Sequence, residues 1–139
     1  METDRCRNNK VKCATLDTNI LMYIFLEKID VFTQLRELGF NKFIIPSKVV
    51  EELERLKISL KGRERLAARF ALNLLSACKD CEVVEVEAAG TDAALLATAE
   101  KYGCVLITND KNLKKRAKAK GIPFGFIREM RRIEIWDFI

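Results

Sequence analysis

Short apolar runs alternate with longer segments of helical periodicity along this chain, and that alternation restricts the fold more than any other feature. Val11 to Leu16, Lys42 to Ile45, Glu82 to Val86, Val105 to Ile107 and Pro123 to Ile127 read as five short strands. The segments between them repeat their apolar residues at three- and four-residue intervals, as in Ile20, Leu21, Ile24 and Phe25, or Leu66, Phe70, Leu74 and Ala77. Boundary residues agree with this division. Asp17 or Thr18, Asp30, Ser47, Thr91 and Asp110 stand where a helix cap is expected, and Gly39, Gly103 and Gly121 where helices stop. Strands that alternate with helices build right-handed βαβ units and a parallel sheet. The tail from Met130 to Ile139 carries no clear assignment.

A chain of 139 residues with 49% hydrophobic composition suits one domain with one core. We expect that core over about 11–127, with short tails on either side. The first residues, Met1 to Lys12, are polar and mixed in charge, and no run is long enough to span a membrane. A soluble, cytoplasmic protein is therefore expected. Charged residues make up 32% of the chain and Gln34 is its one glutamine, a bias that leans towards a heat-adapted source. The net charge of +5 favours a polyanionic partner. Histidine is absent, which removes the commonest general base and transition-metal ligand. Chemistry must then rest on carboxylates, Lys, Tyr, hydroxyls, thiols or a hard metal held by oxygen.

The five cysteines are Cys6, Cys13, Cys78, Cys81 and Cys104. An odd count argues against a secreted disulfide framework, and the lone C-x-x-C at Cys78 to Cys81 lacks the second pair that a zinc site needs. We expect packed or incidental thiols, with an internal disulfide as the alternative.

Four acidic positions stand out among the 20 Asp and Glu. Asp17 directly follows an apolar strand. Asp92 shares the inward helix face of Leu95, Leu96 and Ala99, in a first turn that favours an anion. Glu51 points nearly opposite the stripe of Val49, Leu53, Leu56 and Leu60, while Glu52 and Glu54 flank it, and helix geometry favours Glu52 only slightly. Asp110 closes Ile107-Thr108-Asn109-Asp110 at the end of another strand. Each has a bland reading as a cap or a solvated side chain. Together they would repel one another unless a cation intervened, and oxygen ligands suit Mg²⁺ or Mn²⁺.

The order Leu16-Asp17-Thr18-Asn19, then Pro46-Ser47 through Val49-Val50-Glu51-Glu52-Leu53, then Thr91-Asp92 through Leu95-Leu96 and Ala99, then Leu106-Ile107-Thr108-Asn109-Asp110 resembles the PIN domain family. The resemblance runs from about Val11 to Ile127. The ending Gly121-Ile122-Pro123-Phe124-Gly125-Phe126-Ile127-Arg128 is most similar to the archaeal branch related to ribosomal-RNA-processing members. The resemblance implies a three-layer α/β/α sandwich around a mainly parallel, five-stranded sheet. It implies metal-dependent endonucleolytic cleavage of RNA that leaves 5′-phosphate and 3′-hydroxyl ends. It puts the metal-holding and catalytic acids at Asp17, Glu52, Asp92 and Asp110, and so selects Glu52 over Glu54. Asn19 and Thr108 match the family's polar supports, and Thr18 and Asn109 beside them are expected to help orient ligands or water. Asn112 stands where some members carry a further acid. Homodimers are common in the family, and an antitoxin or a ribosome-assembly factor is the partner that its two biological roles imply.

For RNA binding the candidates are Lys111, Lys114, Lys115 and Arg116, with Arg63, Arg65 and Arg69. No aromatic platform is interleaved with them in the sequence, so base stacking is not expected. Two other readings compete. Haloacid-dehalogenase-like phosphatases also place an Asp after a strand, but want a second Asp where this chain has Asn19. A PIN-like module that binds RNA or protein without cutting is the non-enzymatic alternative.

Overall fold

The computed structural model describes residues 11–136. The chain runs β1 (Cys13–Leu16), α1 (Thr18–Leu26), α2 (Val31–Glu37), β2 (Lys42–Pro46), α3 (Ser47–Ser59) and α4 (Gly62–Ala77). It continues through β3 (Cys81–Val84), α5 (Thr91–Tyr102), β4 (Val105–Ile107), α6 (Lys111–Ala119), β5 (Phe124–Arg128) and β6 (Arg132–Trp136). One sheet takes the order β3-β2-β1-β4-β5-β6, parallel except for the last pair. It forms the middle layer of an α/β/α sandwich.

Why the middle strands are apolar on both faces follows from this order. Ala14, Thr15 and Leu16 of β1 and Leu106 and Ile107 of β4 are all fully buried, as strands covered by helices on both sides must be. The chain winds outward from β1 to β3, then crosses back to lay β4 on the other flank of β1. That reversal opens a crevice at the carboxyl ends of β1 and β4, where ligands of open α/β sheets bind. The Asp17 N–H donates to the Ile107 carbonyl (3.0 Å), which fixes the ends of β1 and β4 side by side, and the Thr108 N–H donates to the Gly125 carbonyl (2.9 Å) of β5.

The expected five strands become six. The sixth, β6, pairs antiparallel with β5 and extends the sheet beyond residue 127. The chain turns back through Glu129 and Met130, both at positive φ (54° and 51°). Gln34 of α2 fastens the new strand: its amide donates to the Arg131 carbonyl (2.9 Å) and accepts from the Ile133 N–H (2.8 Å). Gly125 makes room, since a Cβ there would lie 2.7 Å from Ile135 Cδ1 and 2.9 Å from the Glu134 carbonyl oxygen.

Two boundary expectations also change. Ser47 and Thr91 are not caps; Pro46 and Gly90 hold those positions, without a side-chain bond. Pro46 still belongs to β2, opposite Val84.

The expectation of unpaired cysteines is overturned at four of the five. Cys13 bonds to Cys104, and Cys78 to Cys81; Cys6 lies outside the described residues. The register that sets Ala14 beside Val105 brings Cys13 and Cys104 together on adjacent strands, 91 residues apart in sequence. Cys78 and Cys81 close the connection from α4 to β3. Asp80, between them, is gripped by both Arg36 Nε (3.1 Å) and Nη2 (2.9 Å). Ligand atoms of Cys78, Asp80 and Cys81 lie within 4.8 Å of one another. With the sulfurs joined and the carboxylate taken by Arg36, this trio is a clasp from α2 to the α4–β3 connection.

No helix among the described residues is long and apolar enough to cross a membrane.

Candidate metal centre

The crevice at the switch point gathers carboxylates from four separate segments. Asp17 stands in the N-cap position of α1, yet its side chain makes no cap bond. It is 93% buried and instead accepts from Thr108 Oγ1 at 2.7 Å. Thr108, itself fully buried, also accepts the Asp110 N–H at 3.0 Å. One hydroxyl therefore ties the end of β1 to the end of β4.

Glu52 enters from the second turn of α3. Its Oε1 accepts a short bond (2.6 Å) from Thr18 Oγ1, the first residue of α1. Glu54 points the other way and pairs with Lys57 at 2.9 Å, while Glu51 is exposed. A hydrogen bond across 34 residues thus turns Glu52, and not Glu54, towards the start of α1. Asp92 occupies the first turn of α5 and is partly buried. Asp110 caps α6, accepting the Leu113 N–H at 3.0 Å, and is exposed.

These carboxyls feel one another's charge. Burial pushes the Asp17 carboxyl up to about 6, opposed by the bonds from the Thr108 hydroxyl and Thr18 N–H and reinforced by Asp92 and Glu52. Asp92 is raised as well, by burial first and then by Asp110; Arg116 opposes that rise and Glu52 adds to it. Asp92 links the set: Asp110 and Glu52 raise it, and it in turn raises Asp17. A carboxyl raised to about 6 chiefly by burial, with further carboxylates beside it, is what an all-oxygen site looks like before a counter-cation neutralises it. The donor set suits a hard divalent ion.

The polar supports divide. Thr18 and Thr108 hold Glu52 and Asp17 as described. Asn109 does not serve the acids: its Oδ1 accepts the Ile127 N–H (2.7 Å) and its Nδ2 donates to the Ile127 carbonyl (3.1 Å), a clamp onto β5. Asn19 is exposed on α1.

The basic candidates divide too. Lys111, Lys115 and Arg116 are exposed on α6, which begins at Asp110, and Arg116 acts on Asp92. Arg63 is spent elsewhere, donating to the Leu26 carbonyl at the far end of α1 (3.1 Å). Arg69 shares a groove with Glu54 and Lys57, on the side of α3 turned away from Glu52, and Arg65 lies one helical turn before it. The α4 arginines are therefore not gathered at the acids. Aromatic rings were missed. Lys114 Nζ stands 4.7 Å from the centre of the Phe126 ring and Lys118 Nζ 4.9 Å from that of Trp136, so cations and rings do alternate on the β5–β6 side. The signal was spread over two segments that only the hairpin brings together.

The family model described as PIN like domain matches residues 14–130. The chain belongs to the PIN-like family. Its relatives agree. It is 57% identical to Ribonuclease VapC9 of Archaeoglobus fulgidus over 96% of both chains. It is 36% identical to Ribonuclease VapC4 of Methanocaldococcus jannaschii over 88% of this chain and 95% of that one. Among solved structures, the PIN domain endonuclease Utp24 superimposes with a TM-score of 0.69 at 25% identity, covering 91% of this chain and 95% of its own. VapBC2 of Rickettsia felis shares the PIN-like fold, with a TM-score of 0.54 at 19% identity over 74% of this chain and 92% of its own.

Proposed function

We propose that this PIN-like protein is a divalent-metal-dependent endoribonuclease, with Asp17, Glu52, Asp92 and Asp110 holding Mg²⁺ or Mn²⁺. The observation that carries the reading is the mutual approach of four acids from four segments, with Asp17 buried and raised to about 6. The ribonuclease names of two relatives, at 57% and 36% identity, support RNA as the substrate.

Each protein group has a role in that reaction. Thr108 fixes Asp17 through Oδ2 and so would orient its carboxylate for an ion. Thr18 fixes Oε1 of Glu52 in the same way. Asp92 and Asp110 complete the donor set from the N-termini of two helices, and the opposing charge of Arg116 keeps Asp92 ionised more readily. Lys111 follows Asp110 directly and Lys115 lies a little over one helical turn further on; both face solvent, where they can meet phosphates of the RNA. A bound divalent ion supplies water activation and stabilises charge on the phosphoryl and leaving oxygens.

The alternative physiological role, as the ribonuclease toxin of a toxin–antitoxin pair, fits the VapC names of both relatives. The chemistry is the same in either role.

The test is cleavage of end-labelled single-stranded and structured RNA with Mn²⁺, Mg²⁺ or EDTA. Wild type is run beside Asp17→Asn and Glu52→Gln, each checked for folding by circular dichroism. Cleavage that requires metal and is lost in both variants is expected. Equal cutting by all three proteins would mean a contaminant. Binding without cutting would favour the non-catalytic module.

A further inference from the structure

We infer that Cys78–Cys81 is a reversible thiol–disulfide site, a latch on the end of α4 that a dithiol reductant opens while Cys13–Cys104 stays closed. This inference stands apart from the nuclease reading and uses none of its residues.

The two disulfides differ in access. Cys13 and Cys104 are 5% and 1% exposed, on the central strands β1 and β4. Cys78 and Cys81 are half-buried, in the connection from α4 to β3, and β3 is an edge strand. Exchange begins when an external thiolate reaches a sulfur, so access selects between the two bridges. They differ also in what opening costs. Cys13–Cys104 spans a separation of 91 residues and Cys78–Cys81 a separation of 3. The entropy that a cross-link removes from the unfolded chain grows with the loop it closes. The short bridge is therefore the one that the fold can open without unfolding.

The surroundings suit both states. α4 ends at Cys78 in extended backbone (ψ 121°), without the left-handed residue that stops α5 at Gly103. The disulfide ties this helix end to the first residue of β3. Asp80 is held independently, by Arg36 and by the Phe43 N–H, which donates to its carbonyl (2.8 Å). Opening the bridge leaves Asp80 in place and frees Cys78 and the exposed Lys79. Cys78 Sγ lies 3.2 Å from Asp80 Oδ1, so the new thiol finds an acceptor already in position. Cys78 and Ala77 also line an apolar cavity of about 850 Å³ between α1, α2 and α4, together with Phe25, Phe32 and Phe70. Opening the bridge loosens that wall.

The exchange balances. One thiolate of the reductant attacks a sulfur of the pair, a mixed disulfide forms, and the other cysteine leaves as a thiolate. The second thiolate of the reductant then displaces the remaining cysteine. Two electrons and two protons pass to Cys78 and Cys81, and the reductant departs as its own disulfide.

The test uses the full chain carrying Cys6→Ser, so that the fifth cysteine takes no part in exchange. Protein oxidised with glutathione disulfide is treated with dithiothreitol without denaturant, alkylated with N-ethylmaleimide and mapped by mass spectrometry. Labels at Cys78 and Cys81 are expected, with Cys13 and Cys104 labelled only after unfolding in guanidinium. Re-oxidation with glutathione disulfide should remove the Cys78 and Cys81 thiols again. Limited trypsin digestion reads the latch. Cleavage after Lys79 should quicken about tenfold on reduction, as the constraint of a short closed loop is lost. In a Cys78→Ser, Cys81→Ser double variant it should be equally fast with and without dithiothreitol. All four cysteines labelled together, or none before unfolding, would overturn the selective site. Labels at Cys78 and Cys81 without faster cleavage would overturn the latch.

Discussion

Asp17 and Asp110 occupy the same place in the chain's grammar and opposite physical states. Each closes an apolar strand and each precedes a helix. Asp110 does what such an aspartate usually does: it is exposed and accepts a backbone N–H three residues on. Asp17 makes no such cap bond, is 93% buried, and accepts instead from the Thr108 hydroxyl on the neighbouring strand. A carboxylate that forgoes a cap and accepts desolvation costs stability. Asp110 is cheap to keep whether or not the protein binds metal, whereas Asp17 is costly to keep unless something occupies the site.

The largest way to break this contrast is Asp17→Asn. In metal-dependent RNA cleavage we expect a loss on the order of 10³-fold, since metal-ion stabilisation of the transition state is worth several kcal/mol. The same substitution should stabilise the metal-free fold. Asp17 is raised from 3.8 to about 6. A raised acid contributes its stability below the unfolded value, near pH 4, and loses it as pH rises through about 6. Wild type should therefore give up about 3 kcal/mol between pH 4 and pH 8, and Asp17→Asn should not. Urea denaturation of the metal-free proteins at both pH values measures the difference. Parallel curves at the two pH values would mean that Asp17 is not the strained group.

How much of this was legible in the sequence depends on how local the cause is. Apolar runs marked β1, β2, β4 and β5, because strands buried in the sheet must be apolar; β3, an edge strand with Glu82 and Val83 exposed, was marked less sharply. The strand β6 was hidden because its turn uses Glu129 and Met130 at positive φ, where glycine or asparagine would have signalled a hairpin. The disulfide from Cys13 to Cys104 depends on β1 and β4 being neighbours, a consequence of winding order. Helix phase favoured Glu52 over Glu54 only slightly; the bond from Thr18 separates them in three dimensions. Asn109 looked like a ligand-orienting residue because it sits between Thr108 and Asp110. Its bonds to Ile127 come from a strand that arrives later in the chain.

Thr108 joins the two aspartates, so Thr108→Val tests whether they act as a unit. Valine keeps the shape and removes the hydroxyl. Asp17 then loses the bond that lowers its pKa, so its titration should move to higher pH, and the Asp110 N–H loses an acceptor. We expect a cost of about 2 kcal/mol in metal-free urea denaturation, from polar groups left short of partners. An unchanged midpoint would show that water replaces the hydroxyl without loss.

The smallest effect gives the sharpest contrast. At Asp110 the carboxylate is worth its cap, about 1 kcal/mol. Asparagine caps as well as aspartate, so Asp110→Asn should leave the denaturation midpoint almost unmoved, while Asp110→Ala should lower it by about that amount. At Asp17 the order reverses, because removing the charge there relieves burial and no cap is lost. Cleavage should fall in both Asp110 variants, since neither offers a carboxylate to the ion. If Asp110→Asn also raised stability in the neutral range, Asp110 would share Asp17's strain, and its exposure would not describe its electrostatic state.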